Sequence, residues 1–151
     1  VLQSLNANLI PELRGYSEII PEFTIEDSRL DFLLLGAGDK TPCFVEVKSV
    51  SMIESGIAFF PDSVTTRGQK HLLELMELAQ GGNRAVILFV IQAREINEFR
   101  PADAIDPEYG ALLRAAVGMG VEAIAYTTNP GSREIAWGGP CPIVLPKEFS
   151  Q

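Results

Sequence analysis

Two stretches decide the fold of this chain, Ser28-Arg29-Leu30-Asp31-Phe32-Leu33-Leu34-Leu35 and Cys43-Phe44-Val45-Glu46-Val47-Lys48-Ser49-Val50. Both are rich in apolar and β-branched residues, and the segment between them contains glycine, aspartate and proline, which are typical of a turn. We therefore predict two β-strands, for which a hairpin is the simplest pairing.

The charged residues of these strands form a pattern. Successive strand side chains point to opposite faces, so Glu46 and Lys48 share one face while Val45 and Val47 share the other. In a hairpin, Asp31 lies across from Glu46 or Lys48. Charges inside apolar strands cost free energy unless they are paired or bind metal. The pattern indicates a metal-dependent phosphodiesterase site, and the competing interpretation is a charged pair on a solvated strand face.

A third acidic ligand would come from the segment before the hairpin. Glu12, Glu18 and Glu22 all lie there. Glu22 is closest to the strands, so it is the predicted ligand, and solvation is the expected role of at least two of the three.

Composition bounds the class of protein. The 151 residues are 46% hydrophobic and 21% charged, which is typical of one soluble globular domain. The longest apolar run, residues 85–91, is too short to span a membrane, so we expect no membrane partner. Cys43 and Cys141 lack metal-ligand spacing, and Cys43 suits a buried thiol, which predicts a reducing cytoplasm.

The net charge of −8 argues against a general DNA binder, because 12 basic residues stand against 20 acidic ones. Three considerations weaken this objection. A metal site requires carboxylates, bound cations offset part of their charge, and a further domain could carry a basic surface.

A helix is predicted from Thr66 to about Gln80. Thr66 can serve as its N-cap with Gln69 three residues on, in a capping-box arrangement, and Gly81-Gly82 supply the stop.

The first turn of this helix carries Arg67, Lys70 and His71. A helix N-terminus favours anions, and cations there are mildly unfavourable unless they serve a purpose. We therefore predict that these residues face phosphate. The alternative is a solvent-exposed helix start and a structural histidine at His71.

The remaining helices and strands are predicted from the same signals, namely apolar periodicity, turn residues and helix caps. They are a short helix within residues 1–13, a first strand beginning at 23–26, strands at 57–60, 84–92, 121–128 and 133–137, and a helix starting at Asp106-Pro107. Residues 84–128 make a βαβ unit with a parallel strand pair. The predicted fold is an α/β sandwich with a mixed β-sheet flanked by helices.

An acidic strand residue, then Glu-x-Lys on the next strand, then a polar helix, resembles the PD-(D/E)xK nuclease superfamily. A more specific similarity is to the sugar fermentation stimulation protein A family of bacteria and archaea. It rests on residues 28–32, 45–50, 84–89 and 99–102, and above all on Phe60-Pro61-Asp62-Ser63-Val64-Thr65-Thr66-Arg67-Gly68-Gln69-Lys70-His71-Leu72.

This resemblance implies a restriction-endonuclease-like core, with residues 1–151 as the nuclease-like C-terminal domain of a longer protein. An N-terminal OB-like domain would precede it and be absent from this chain. The family is described as DNA-binding and as linked to the regulation of sugar utilisation, notably of maltose.

Carried over residue by residue, the resemblance makes Asp31 and Glu46 metal ligands and Lys48 the catalytic lysine. The superfamily's earlier acidic residue has no unambiguous counterpart. With the carbonyl of Val47, the carboxylates would hold Mg²⁺ or Mn²⁺, and Lys48 would orient or deprotonate the attacking water. Gln69 matches the polar position of the following helix. The residues assigned to nucleic-acid binding are Arg67, Gln69, Lys70 and His71.

The expected function is therefore that of a DNA-interacting, nuclease-like domain with Mg²⁺-dependent hydrolysis of phosphodiester bonds, and DNA is the expected partner, bound without sequence specificity. The first alternative is a non-catalytic regulator that binds DNA without sequence specificity on a nuclease scaffold. The second is a metabolite-responsive regulator, which no glycine-rich phosphate loop or aromatic cluster supports. A homodimer is left open.

Overall fold

The structure is a computed structural model that describes residues 1–6, 9–26, 28–130 and 136–147. The strands are β1 (Glu18–Ile25), β2 (Ser28–Leu35), β3 (Cys43–Val50), β4 (Met52–Glu54), β5 (Ile57–Phe60), β6 (Arg84–Ile91), β7 (Glu98–Pro101), β8 (Glu122–Asn129) and β9 (Ala136–Pro140). The helices are α1 (Leu2–Asn6), α2 (Thr66–Gln80) and α3 (Pro107–Gly118), with a 3₁₀ turn at Pro11–Leu13.

Within the described residues, six strands form a mixed sheet in the order β1-β2-β3-β6-β8-β9. Strands β3, β6 and β8 are parallel, whereas β1, β2 and β9 join the sheet antiparallel. Strand β6 lies at the centre, and its residues from Ala85 to Ile91 are buried because both faces of the sheet are covered. Strands β4, β5 and β7 form a separate three-stranded sheet.

The two faces of the large sheet pack against different parts of the chain. On one face, Ile87, Phe89 and Ile91 belong to a core cluster with α2 and α3. On the other face, Val86 and Leu88 pack with residues of the N-terminal segment. In the described part of the chain, none of the helices combines the length and apolar character that a membrane crossing demands.

The structure confirms the predicted mixed sheet with its flanking helices. Strands β2 and β3 pair antiparallel, with Phe32 opposite Val45, as the hairpin prediction requires. Strands β6 and β8 pair in parallel across α3, with Val86 opposite Glu122, as the βαβ prediction requires. Asp106 is the N-cap of α3, as predicted.

Several predicted boundaries were wrong. The N-cap of α2 is Thr65, not Thr66, and its side chain accepts a hydrogen bond from the N–H of Gly68. Strand β1 begins at Glu18, whereas the prediction had the first strand beginning at residues 23–26. Pro21 obscures the strand pattern, although an edge strand such as β1 tolerates proline.

The N-terminal and C-terminal segments and the small sheet also differ from the prediction. The helix predicted within residues 1–13 is divided into α1 and the 3₁₀ turn. Strands β4 and β7 were not predicted, because three or four residues are too few to show a period. The final strand is β9, and residues 133–135 of the predicted strand lie outside the described residues.

The starts of α2 and α3 are held together by one buried carboxylate, that of Asp106, whose residue is 1% exposed. It accepts hydrogen bonds from the N–H of Thr65 at 2.9 Å and from the N–H of Tyr109 at 2.9 Å. The amide Nε2 of Gln69 donates to both of its oxygens, at 3.0 and 3.1 Å. Burial by itself would raise the pKa of Asp106, but these donors outweigh it and the pKa is lowered.

Replacing this carboxylate should therefore destabilise the domain strongly. We expect Asp106→Ala to lower the free energy of unfolding by about 2–4 kcal/mol, because it removes a helix cap and leaves buried donors unpaired. Denaturant unfolding followed by circular dichroism measures this change. Asp62→Ala, which alters an exposed aspartate in the loop before α2, should change it by less than about 0.5 kcal/mol. Equal losses in the two variants would contradict the assignment.

Candidate metal-dependent active site

The candidate site lies where β2, β3 and α2 meet. The antiparallel register of β2 and β3 brings Asp31 beside Glu46, as predicted. The backbone N–H of Asp31 lies 3.3 Å from Oε1 of Glu46, and the N–H of Val47 donates to Oδ2 of Asp31 at 2.7 Å. Each carboxylate is therefore in contact with a backbone N–H of the other strand, which keeps the two side chains at the junction of β2 and β3.

The second oxygen of Glu46, Oε2, contacts two nitrogen atoms. Nζ of Lys48 lies 3.1 Å away, and Nδ1 of His71, on the second turn of α2, lies 2.7 Å away. The two nitrogens are 2.9 Å apart. The exposed fraction of the side chain is 5% for Glu46, 13% for Lys48 and 7% for His71. The predicted pair of Glu46 and Lys48 on one strand face is thus confirmed as a close ion pair largely removed from solvent.

Burial and neighbouring charges move the pKa values of the two carboxylates in opposite directions. Burial would raise the pKa of Glu46, but the hydrogen bond from His71 and the charge of Lys48 outweigh it, and the pKa is lowered. The pKa of Asp31 is raised, first by burial and then by the negative charge of Glu46, against the hydrogen bond from Val47. Glu46 is therefore stabilised as an anion, while the ionisation of Asp31 costs free energy.

The donor set fits a hard divalent cation. The two carboxylates would supply oxygen ligands, together with the carbonyl predicted for Val47, and Mg²⁺ commonly binds through one or two carboxylates and keeps several waters. Among the described residues, no group of three or more His, Cys, Asp or Glu side chains is disposed to hold a metal ion. Glu22 is an exposed residue of β1 with a φ of +54°. Its role as a ligand, like that of Val47, stays a prediction.

The residues predicted to bind nucleic acid lie in different surroundings. Arg67 and Lys70 are exposed on the first turns of α2, as a phosphate contact requires. Gln69 is hydrogen bonded to Asp106, and His71 faces Glu46 and Lys48. Two of the four residues are therefore exposed, and the glutamine and the histidine contact protein carboxylates.

Two residues near the site were not predicted to take part in it. The Tyr109 side chain is fully buried, and its hydroxyl has no hydrogen-bond partner in the part of the chain that the structure describes. Burial raises its pKa, and the negative charges of Glu46 and Asp106 raise it further, so the phenol is neutral. Asp106 was predicted as a helix cap, but its bond to Gln69 depends on the packing of α2 against α3, which no local pattern reveals.

The raised pKa of Asp31 leads to a prediction about stability without metal. In EDTA at neutral pH, Asp31→Asn should raise the melting temperature, on the order of 2 °C, because the amide keeps an acceptor for Val47 and removes the costly charge. Ionisation of Asp31 destabilises the fold only above its ordinary pKa of 3.8, so the gain should shrink as the pH falls through the raised folded value and vanish below 3.8.

Thermal unfolding by calorimetry between pH 3 and pH 8 tests this. Asp39→Asn, in the exposed turn between β2 and β3, is the control and should leave the melting temperature unchanged. A melting temperature of Asp31→Asn below that of the wild type at neutral pH would show that the charge of Asp31 stabilises the fold.

Comparison with known proteins places these residues in a family. The family described as the sugar fermentation stimulation protein RE domain matches residues 1–134. Sugar fermentation stimulation protein homologues from Geotalea daltonii and Geobacter sulfurreducens are 48% and 50% identical to the chain over 146 and 136 residues. These alignments cover 96% and 89% of the chain but only 62% and 57% of the relatives, so the chain spans about 60% of their length.

A solved structure agrees with the sequence comparison. The SfsA protein of Pyrococcus furiosus, determined in complex with Ca²⁺, matches 95% of this chain and 62% of its own, with a TM-score of 0.86 and 35% identity. One subunit of a heterodimeric restriction endonuclease, with a TM-score of 0.39 and 16% identity, resembles the chain too weakly to support a conclusion. The chain therefore belongs to the sugar fermentation stimulation protein family, and its fold is that of the family's RE domain.

Proposed function

We propose that this domain is a metal-dependent nuclease that hydrolyses phosphodiester bonds of DNA without sequence specificity. The observation that carries the proposal is the ion pair of Glu46 with Lys48 at 3.1 Å, next to a second acidic residue, Asp31, on the adjoining strand. The Ca²⁺ bound by the Pyrococcus furiosus relative supports a divalent-cation site, since Ca²⁺ also takes oxygen ligands.

Each residue of the site has a role in this chemistry. Asp31, Glu46 and the carbonyl of Val47 would hold Mg²⁺ or Mn²⁺, with Glu22 as a further candidate ligand. When bound, the ion would neutralise charge on the scissile phosphate and favour an activated water. Lys48 would orient or deprotonate that water, or stabilise the charge that develops on the phosphorus oxygens.

The exposed cations of α2 would position the substrate. Arg67 and Lys70 lie on the first turns of α2, on the same helix as His71. Contacts to backbone phosphates fix the orientation of a nucleic acid without reading its bases. DNA bound here would therefore be held without sequence preference.

A non-catalytic DNA-binding role is the second candidate, and one observation favours it. Oε2 of Glu46 already contacts Lys48 and His71, so part of its charge is compensated by the protein itself. In this role the fold would serve as a platform for the OB-like domain that we expect in the longer protein. The expected cellular location is the cytoplasm. The link to sugar utilisation is inferred from the family alone.

Substitutions at the two central residues separate the candidates. In Mg²⁺ or Mn²⁺, Glu46→Gln and Lys48→Met should each lower the rate of DNA cleavage by the full-length protein about 100-fold or more, with DNA binding retained. Cleavage of single-stranded and double-stranded DNA, followed on gels beside binding in EDTA, gives both readouts. Glu54→Gln and Lys147→Met, at exposed positions, are the matched controls. No cleavage by the wild type with either metal would leave the binding role.

The phosphate-contact role of α2 is tested through the salt dependence of binding. Arg67→Ala should weaken DNA binding equally for unrelated sequences and reduce the slope of log K against log salt concentration by about 1, since one counterion fewer is released. Fluorescence anisotropy at several salt concentrations measures the slope. Arg94→Ala, an exposed arginine between β6 and β7, should leave it unchanged. Equal slopes for the wild type and Arg67→Ala would exclude the contact.

A further inference from the structure

His71 was predicted to face phosphate, but its ring contacts the candidate metal ligand Glu46 directly. It is 5% exposed, and its Nδ1 lies 2.7 Å from Oε2 of Glu46. Arg67 and Lys70, by contrast, are exposed on the same helix. The position of His71 therefore gives it a role different from theirs.

The hydrogen-bonding capacity of the Glu46 carboxylate decides whether Nδ1 of His71 acts as a donor or as an acceptor. An ionised carboxylate only accepts hydrogen bonds, so a separation of 2.7 Å requires Nδ1 to carry its hydrogen and donate to Glu46. An unprotonated Nδ1 would instead direct its lone pair at the carboxylate. Nζ of Lys48 also lies 2.9 Å from Nδ1, but it lies 3.1 Å from the same Oε2 atom and so has a carboxylate acceptor of its own. The 2.7 Å contact with Glu46 is the shorter of the two contacts of Nδ1, and we therefore place the hydrogen of Nδ1 in it.

The helix that carries His71 is fixed independently of the site. Its start is tied to α3 by Asp106, through Thr65 and Gln69. A Cβ at Gly68 would lie 2.9 Å from Cγ2 of Thr65 and 3.2 Å from Cε2 of Tyr109, so the close packing of this turn requires glycine. A side chain on such a rigid support can hold a partner in one orientation.

We propose that His71 is a positioning residue that holds the Glu46 carboxylate in the orientation needed to bind the metal ion. This inference rests on the proposed metal-dependent function and deepens it. Hydrogen-bonded partners of metal-ligating side chains orient the ligand, and their loss typically lowers metal affinity or activity 10–100-fold. With Oε2 held by His71 and Lys48, Oε1, which lies 3.3 Å from the backbone N–H of Asp31, would be the Glu46 oxygen left to share a cation with the Asp31 carboxylate.

The test compares two replacements of His71 in the full-length protein. His71→Phe keeps a planar ring and removes the donor, whereas His71→Asn places an amide donor near the position of Nδ1. We expect His71→Phe to raise the Kd for Mn²⁺ by about 10–100-fold and His71→Asn to stay within about fivefold of the wild type. Calorimetric titration with Mn²⁺ measures both, and Leu73→Asn, at an exposed position of α2, is the control.

The affinity for DNA in EDTA and the cleavage rate at saturating Mn²⁺ complete the measurement. For His71→Phe, DNA affinity should be unchanged and cleavage should partly recover at saturating Mn²⁺. Unchanged Mn²⁺ affinity in His71→Phe, or failure of His71→Asn to restore it, would overturn the inference, as would a loss of DNA affinity in EDTA.

The wild type separates this inference from the proposed function. If the wild-type protein binds Mn²⁺ but does not cleave DNA, only the nuclease proposal is contradicted. The Mn²⁺ affinity of His71→Phe would then still decide the role of His71. A wild type that does not bind Mn²⁺ would overturn both.

Discussion

The arrangement of the site depends on one buried carboxylate, that of Glu46. A charge with 5% of its side chain exposed costs free energy unless other groups compensate for it. Lys48, two residues along the same strand, and His71, on α2, supply that compensation at 3.1 and 2.7 Å. Strand β3 and helix α2 must therefore meet at this point, and loss of either partner would leave a buried charge poorly paired.

The rest of the fold meets this requirement by fixing both elements. Strand β3 is hydrogen bonded on both sides, to β2 and to β6, inside the large sheet. Helix α2 is tied to α3 by Asp106 and packs closely at Gly68. These contacts lie away from the carboxylates, yet they determine where His71 reaches Glu46. A substitution at the junction of the two helices can thus act on the site through the position of α2.

The same site carries an electrostatic cost. Asp31 lies beside Glu46, and its pKa is raised by burial and by that neighbouring charge. Two adjacent carboxylates beside a single lysine repel each other and do not favour stability. Natural proteins place such unfavourable charge pairs mainly at functional sites. A divalent cation would relieve the repulsion, which gives the unfavourable pair a physical reason in the proposed function.

Strand alternation and turn residues are local signals, so the hairpin of β2 and β3, the βαβ unit, and the shared strand face of Glu46 and Lys48 could be predicted from the amino-acid sequence. The sequence motifs also identified the family. The contacts of His71 with Glu46 and of Gln69 with Asp106 emerged from the three-dimensional packing alone. Helical spacing orders side chains around an axis, but it does not say which face packs on which sheet or which partner is reached. That choice is made by long-range packing, here the docking of α2 on β3 and α3.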